Sequence, residues 1–146
     1  YLNLKKKLVK SPKIYFRDTG ILNRLLRIEN SIQLFGHPSV GGSWEAMVIQ
    51  QILVLKNSNI EVHFYRTHNG AEVDVVLVKS LQAISVVEIK FSSNPEVSKS
   101  LKICIDDLGT KQNFILTPYS DEYIASNNIR VCNLQTFLQK YLPMLK

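Results

Sequence analysis

The residues best suited to chemistry in this sequence are two carboxylates in apolar segments. Asp74 is flanked by two valines, and Glu88 by a valine and an isoleucine. An ionised carboxylate that is removed from water is costly unless it is paired or binds a metal. If the two segments are strands joined by a short turn near Leu81, Asp74 lies opposite Glu88, and the repulsion between the two carboxylates calls for a cation.

Lys90 adds a positive charge beside this pair. It follows Glu88 by two residues, so both side chains project from the same face of a strand. Carboxylate oxygens suit Mg²⁺ or Mn²⁺, whose other ligands are water and substrate phosphate. A nearby lysine can orient the attacking water and balance the phosphate charge, so the set is typical of metal-dependent phosphodiester hydrolysis. The alternative is an ion-pair cluster between neighbouring strands on a solvated face.

Glu45 is a further candidate because of its place in a predicted helix. The helix runs from about Trp44 to Lys56, and Glu45 aligns with its apolar stripe rather than with the opposite, polar side. The carboxylate is therefore expected to face the same cleft as Asp74. In the alternative interpretation, Glu45 only stabilises the positive N-terminus of the helix, which requires no function.

Hydrophobic periodicity predicts the elements that position these side chains. Alternating apolar residues predict strands, and apolar residues at three- and four-residue spacing predict helices. Predicted strands cover residues 13–16, 61–67, 71–78, 83–91, 113–117 and 129–132, and predicted helices cover 21–28, 44–56, 94–108 and 134–142. Residues 30–43 are predicted to form a loop. Asn94 is the expected cap of the third helix, and Gly109 is expected to end it.

The order of these elements predicts an α/β fold with a mixed central sheet flanked by helices. Asn69 and Gly70 are typical of a two-residue hairpin loop, which would pair Tyr65 with Asp74. Residues 1–40 are predicted to be a basic strand and helix segment that links to a preceding module. Residues 41–146 are predicted to form the core that carries the site.

The composition is that of one globular domain. The chain has 146 residues, of which 45% are hydrophobic and 21% charged, and this excludes intrinsic disorder and collagen-like order. No apolar run is long enough to span a bilayer, and no signal-peptide pattern opens the chain. Two cysteines far apart in sequence are too few for a disulfide framework, so a reducing cytoplasm is the predicted location.

The net charge of +6 is concentrated in the first thirty residues. That segment contains eight basic and two acidic residues, whereas the remainder contains ten of each and is neutral. The basic residues are Lys5, Lys6, Lys7, Lys10, Lys13, Arg17, Arg24 and Arg27. Such a cluster is either a solvated face or a site for phosphate, and the second interpretation predicts nucleic acid as a partner.

The residues proposed for chemistry also resemble a known pattern. A helical Glu45, Asp74 in Glu-Val-Asp and, after thirteen intervening residues, Glu88-Ile89-Lys90 resemble the PD-(D/E)XK restriction-endonuclease-like superfamily. The resemblance implies a restriction-endonuclease-like core in which Asp74 and Glu88 are metal ligands, Glu45 is an accessory acidic residue and Lys90 is the catalytic lysine. The proline of the superfamily motif is replaced here by Val73.

A narrower resemblance covers the chain from about Pro12 to Leu142. Its motifs are the run from Lys13 to Leu22, Gly42-x-x-Glu45, Tyr65-Arg66-Thr67, Gly70-x-Glu72-Val73-Asp74 and Val87-Glu88-Ile89-Lys90. They resemble the C-terminal domain that follows a P-loop ATPase module in bacterial and archaeal AAA-type proteins. No Walker A sequence occurs here, so the ATPase half is absent from this chain. The resemblance implies a nuclease acting on nucleic acid, most simply DNA, or a catalytically inactive DNA-binding or protein-docking module on the same fold.

Overall fold

The computed structural model describes residues 13–126 and 128–145, which contain one six-stranded sheet with helices on both faces. The strands are β1 (Glu61–Arg66), β2 (Glu72–Lys79), β3 (Gln82–Ile89), β4 (Gln112–Thr117), β5 (Tyr123–Ser126) and β6 (Ile129–Asn133). The helices are α1 (Thr19–Leu25), α2 (Ser31–Gly36), α3 (Val40–Leu55), α4 (Lys99–Leu108) and α5 (Leu134–Thr136), which continues as a π-helical turn (Phe137–Tyr141) and a 3-10 turn (Leu142–Met144). Lys5, Lys6, Lys7 and Lys10 lie outside the described residues.

The strand order across the sheet is β1-β2-β3-β4-β6-β5. β1, β2 and β3 are antiparallel, β4 is parallel to both β3 and β6, and β5 is antiparallel to β6. This arrangement confirms the predicted α/β class with a mixed sheet flanked by helices. The sequence did not predict β5, because this short edge strand has no fully buried residue to produce an apolar pattern.

The pairing of β2 with β3 has the predicted register from Val75 to Leu77, and it shifts by one residue between Leu77 and Val78. Val75 pairs with Val87 and Val76 pairs with Val86, and the continuation of this register places residue 74 opposite residue 88. The two strands are joined by Ser80 and Leu81, both of which have positive φ angles. Two positive φ angles are the requirement of the tight hairpin loop whose twist matches that of the strands.

The hairpin between β1 and β2 differs from the prediction. The amide of Thr67 donates to the carbonyl of Ala71 at 2.7 Å, so the loop contains three residues, and Gly70 adopts a left-handed φ of 86°. Tyr65 therefore pairs with Val73 rather than with Asp74. Between this pair and the pairing of His63 with Val76, β2 has one residue more than β1, so Asp74 lies in a β-bulge.

Two apolar layers cover the two faces of the sheet. On one face α3 and the C-terminal helical segment pack against the strands, with Ile52, Leu77 and Phe137 fully buried between them. On the other face α4 covers the sheet through Leu101 and Cys104. The strands β2 and β3 have near-continuous apolar sequences because both of their faces are buried. No helix in the described part of the chain is long and apolar enough to cross a bilayer.

Residues 30–43 are not the loop that was predicted. Asn30 caps α2 by accepting a hydrogen bond from the amide of Gln33 at 2.9 Å, and α3 begins at Val40. Gly41 and Gly42 therefore lie within the first turn of α3. The glycines suggested a loop, but tertiary packing of the apolar face of α3 outweighs their low helix propensity.

The start of α4 was also predicted wrongly. The helix begins at Lys99 instead of Asn94, because Ser98 is the cap and accepts a hydrogen bond from the amide of Leu101 at 3.0 Å. Gly109 ends the helix in the left-handed conformation, as predicted. Residues 90–98 form the irregular connection between β3 and α4, and Asn94 lies within it.

Residues 13–16 form an irregular segment rather than the predicted strand. Lys13 and Tyr15 are partly buried, whereas Ile14 and Phe16 are exposed. The burial thus alternates as it does in a strand, but the segment is not part of the sheet. It docks through alternate side chains, and this is why its sequence pattern resembles that of a strand.

Candidate functional site

Asp74 lies at the end of the sheet where the bulge of β2 meets the end of β3. Its Oδ2 accepts a hydrogen bond from the backbone amide of Ile89 at 2.8 Å. Its Oδ1 lies 3.4 Å from the Nζ atom of Lys13. The side chain is 17% exposed, so the carboxylate is largely removed from water yet still reachable from one side.

The environment of Asp74 favours its neutral form. Burial and the nearby negative charge of Glu45 raise the pKa of Asp74 from 3.8 to about 6, although the Ile89 amide and the Lys13 ammonium group oppose the change. The ionised form of Asp74 is therefore unfavourable unless additional positive charge is nearby. Perturbed groups of this kind are concentrated at functional sites, although structural ion-pair networks also produce them.

Glu88 and Lys90 form a close ion pair at the end of β3. The Nζ atom of Lys90 lies 2.8 Å from Oε1 of Glu88, and Oε2 of Glu88 accepts a hydrogen bond from the hydroxyl of Ser98 at 3.1 Å. The Glu88 side chain is only 7% exposed, so both of its oxygens have protein partners in a mostly buried position. Ser98 also caps α4, and this helix is thereby joined to the candidate site.

Lys90 remains a cation in this environment. Burial alone would lower the pKa of Lys90, but its hydrogen bond to Glu88 and the negative charges of Glu88, Asp74 and Glu45 raise it above its ordinary value. The side chain is 41% exposed and can reach a molecule in solvent. An ammonium group that holds its proton this firmly is suited to attract phosphate oxygens and is unsuited to act as a general base.

Glu45 joins the site from α3. Its Oε1 accepts a hydrogen bond from the hydroxyl of Tyr15 at 2.5 Å and lies 3.5 Å from the Nζ atom of Lys13. Glu45 follows Trp44, which packs against the core that α3 shares with the sheet. The prediction that Glu45 faces the cleft of Asp74 therefore agrees with its position, since both carboxylates share Lys13.

Lys13 is the site residue that the sequence did not single out. Its ammonium group lies between the carboxylates of Asp74 and Glu45, and their attraction raises the pKa of Lys13 although burial opposes this. In the sequence, Lys13 was one member of a basic run. The available signal was its two-residue spacing from Tyr15, which places the two side chains on one side of an extended segment.

The oxygen atoms of Glu45, Asp74 and Glu88 are ligands of the type that Mg²⁺ and Mn²⁺ prefer. Between residues 13 and 145, leaving out residue 127, no three His, Cys, Asp or Glu side chains are close enough together to hold a metal ion jointly. Glu45 and Asp74 both contact Lys13, whereas Glu88 contacts Lys90 and Ser98. The predicted residues therefore lie toward the same end of β2 and β3 in two sets of contacts, and they do not form one three-carboxylate cluster. The donor chemistry fits a hard divalent cation.

Comparison with known proteins places the chain in a family. Residues 40–137 match the family described as "Domain of unknown function (DUF4143)". The chain belongs to this family. The matched range begins at the first residue of α3 and ends in the C-terminal helical segment, so it contains Glu45, Asp74, Glu88 and Lys90. Lys13 and Tyr15 lie outside it.

Two curated relatives are longer than this chain. They are the uncharacterized protein Mb2031c of Mycobacterium bovis and the uncharacterized protein Rv2008c of Mycobacterium tuberculosis, and each is 34% identical over 129 residues. The alignment covers 88% of this chain and 29% of each relative, so the chain corresponds to less than a third of their length. No solved structure matches the chain significantly.

Proposed function

We propose that this domain is a nuclease-like phosphodiester hydrolase of the PD-(D/E)XK type that depends on Mg²⁺ or Mn²⁺. Asp74 and Glu88 would hold the cation, with Glu45 as an accessory acidic residue and Lys90 as the catalytic lysine. The observation that carries the proposal is the hydrogen bond from the Ile89 amide to Asp74. It joins the aspartate of β2 directly to the segment that contains Glu88 and Lys90.

The protein groups have distinct tasks in this proposal. Lys90 keeps its proton on Nζ, attracts a phosphate oxygen and offsets the charge of the scissile group. The fixed position of Asp74, set by the bulge and by the Ile89 amide, orients its carboxylate without reorganisation. A divalent cation held by Asp74 and Glu88 would supply Lewis acidity toward the phosphate and would activate water for attack.

The test is a cleavage assay with matched variants. Labelled single-stranded DNA, double-stranded DNA and RNA are incubated with the chain and Mg²⁺, Mn²⁺ or EDTA. We expect metal-dependent cleavage that falls by about a hundredfold or more in Asp74→Ala and Lys90→Ala. Asp106→Ala and Lys102→Ala, which alter exposed residues of α4, should leave the rate unchanged. Absence of cleavage of all three substrates at millimolar metal would contradict hydrolysis.

A catalytically inactive docking or DNA-binding module is the second candidate. Its support is a set of exposed apolar residues in the segment that precedes α3, namely Ile14, Phe16, Ile21, Leu25 and Ile32. Exposed apolar surfaces of this kind mark interaction sites. Binding of labelled DNA that weakens with salt and survives Asp74→Ala would support a DNA-binding module without catalysis.

The proposed partner is an AAA-type ATPase module of the same full-length protein. The support is the resemblance to ATPase-associated domains together with the length of the two relatives, of which this chain covers 29%. Cys104 and Cys132 are free thiols, and this supports a reducing location such as the cytoplasm. In the full-length protein, ATP turnover should be altered by substitution of the exposed apolar residues Ile14 and Ile32 by serine.

A further inference from the structure

We propose that Lys13 is a built-in competitor for the divalent cation, so that metal binds only when the segment containing Lys13 and Tyr15 leaves the site. The inference rests on the proposed function only in assuming that Asp74 and Glu45 face a divalent cation in the active state. It adds a control step to that function. The metal affinity of the chain is then determined by the N-terminal segment as well as by the carboxylates.

The position of the ammonium group is the first argument. The Nζ atom of Lys13 lies 3.4 Å from Oδ1 of Asp74 and 3.5 Å from Oε1 of Glu45. A cation that binds both carboxylates must occupy the space between them, and this is where the ammonium group lies. Two positive charges cannot share that space without strong repulsion, because the Coulomb energy is large in a partly buried environment.

The second argument concerns the way in which the segment is held. The hydroxyl of Tyr15 donates to Glu45, and the ring of Tyr15 packs at the edge of the core beneath α3. Ile14, between Lys13 and Tyr15, is 87% exposed, and residues 13–16 are not part of the sheet. The segment can therefore leave without the loss of any strand pairing.

Charge balance provides the third argument. With Lys13 in place, Asp74 and Glu45 are matched by one ammonium group, and Glu88 is matched by Lys90. Removal of Lys13 takes away the ammonium group that lies 3.4 Å from Asp74 and 3.5 Å from Glu45, and this increases the repulsion between the two carboxylates. Such a pair either takes up a proton or binds a cation, so departure of the segment itself increases the affinity for metal.

The test measures Mn²⁺ binding to the full chain by calorimetry and by the electron paramagnetic resonance signal of free Mn²⁺. Lys13→Met should bind Mn²⁺ roughly tenfold or more tightly than the native chain. Tyr15→Phe keeps the positive charge and loosens the segment, so we expect a smaller gain. Lys111→Met is the control. Lys111 precedes β4 and lies at the other end of β3 and β4 from residues 88–90, so loss of its charge should not change the affinity for Mn²⁺.

The outcomes separate this inference from the proposed function. Equal or weaker Mn²⁺ binding by Lys13→Met would overturn the competition and leave the proposed function intact. No binding by any variant, Lys13→Met included, would overturn both. Thermal unfolding confirms that each variant is folded. If Lys13→Met does not fold, Lys13→Gln and Tyr15→Phe decide in its place, and unchanged affinity in both would overturn the inference.

Discussion

The carboxylate of Asp74 accepts a hydrogen bond from the backbone amide of Ile89, with 2.8 Å between Oδ2 and N. Ile89 lies between Glu88 and Lys90, so the bond ties the aspartate of one strand to the glutamate and lysine of the next. Because the donor is a main-chain group, its position follows the register of β2 and β3. The relative placement of Asp74, Glu88 and Lys90 is thus a property of the sheet.

Asp74→Asn is expected to stabilise the metal-free protein at neutral and alkaline pH. A carboxyl group whose pKa rises from 3.8 to about 6 on folding contributes stability below its unfolded pKa, and this contribution is lost as pH rises through the folded pKa. The shift corresponds to about 3 kcal/mol as an upper value, at about 1.36 kcal/mol per pH unit. An asparagine retains the acceptor for the Ile89 amide and has no charge to desolvate.

Denaturant unfolding in the presence of a chelator measures this effect. Asp74→Asn should exceed the native chain in stability by about 1–3 kcal/mol at pH 8, and the difference should shrink toward pH 4. Asp106→Asn, at an exposed position, serves as the control and should show little change. A stability difference that does not vary between pH 4 and pH 8 would contradict the raised pKa of Asp74.

Ser98→Ala is expected to weaken both α4 and the site. The Ser98 hydroxyl accepts from the amide of Leu101 and donates to Glu88. Loss of a helix cap costs about 1 kcal/mol, and the buried oxygen of Glu88 also loses a donor, so we expect a loss of about 1–2 kcal/mol in the free energy of unfolding. Ser100→Ala, two residues into the same helix, should change stability little. Equal effects of the two substitutions would show that the cap contributes nothing specific.

Asn113→Ala is expected to be strongly destabilising. The buried amide of Asn113 accepts from the backbone of Val86 and from the hydroxyl of Thr110, and it donates to the carbonyls of Thr110 and Asn128. Its removal leaves several buried groups unpaired, with an expected cost of about 2–4 kcal/mol. Gln112→Ala, at the exposed neighbouring position, should remain within about 0.5 kcal/mol of the native chain. Calorimetric unfolding of both variants provides the comparison.

Both cysteines are expected to resist thiol reagents in the folded protein. Cys104 and Cys132 are fully buried, and burial raises the pKa of Cys104 to about 11 and that of Cys132 to about 12. Because the thiolate is the reactive species, labelling by a disulfide reagent at pH 8 should occur only through unfolding. Two thiols per chain should react at once in denaturant. Rapid labelling of either cysteine under native conditions would contradict the packing of the core.

The sequence was sufficient to predict the central strands of the sheet, because their apolar patterns and turn residues agree with the way they pack. The predicted register of β2 and β3 is present from Val75 to Leu77 and, when continued, sets residue 74 opposite residue 88, but the one-residue shift between Leu77 and Val78 was not predicted. The apolar character of these strands likewise predicts that helices cover both faces, as they do. The catalytic role of Asp74, Glu88, Lys90 and Glu45 stays a prediction, although they lie toward the same end of the sheet.

Features that depend on contacts distant in sequence were not predictable. Lys13 and Asp74 are sixty-one residues apart, and nothing local in either segment indicates that their side chains meet. The start of α4 was missed for a related reason. Asn94 and Ser98 are both acceptable caps, and the choice of Ser98 is favoured by its second partner, Glu88, in a strand that precedes it.

The three-residue loop 68–70 has a consequence beyond its own hairpin. A loop of three residues sets the pairing of Tyr65 with Val73, and the bulge at Asp74 then restores the alignment of the remaining strand. The length of this exposed turn therefore determines the orientation of the Asp74 carboxylate. A two-residue loop formed by Asn69 and Gly70 would instead continue the pairing of His63 with Val76, set Tyr65 opposite Asp74 and remove the bulge. The conformation of an exposed turn is here also a determinant of the site.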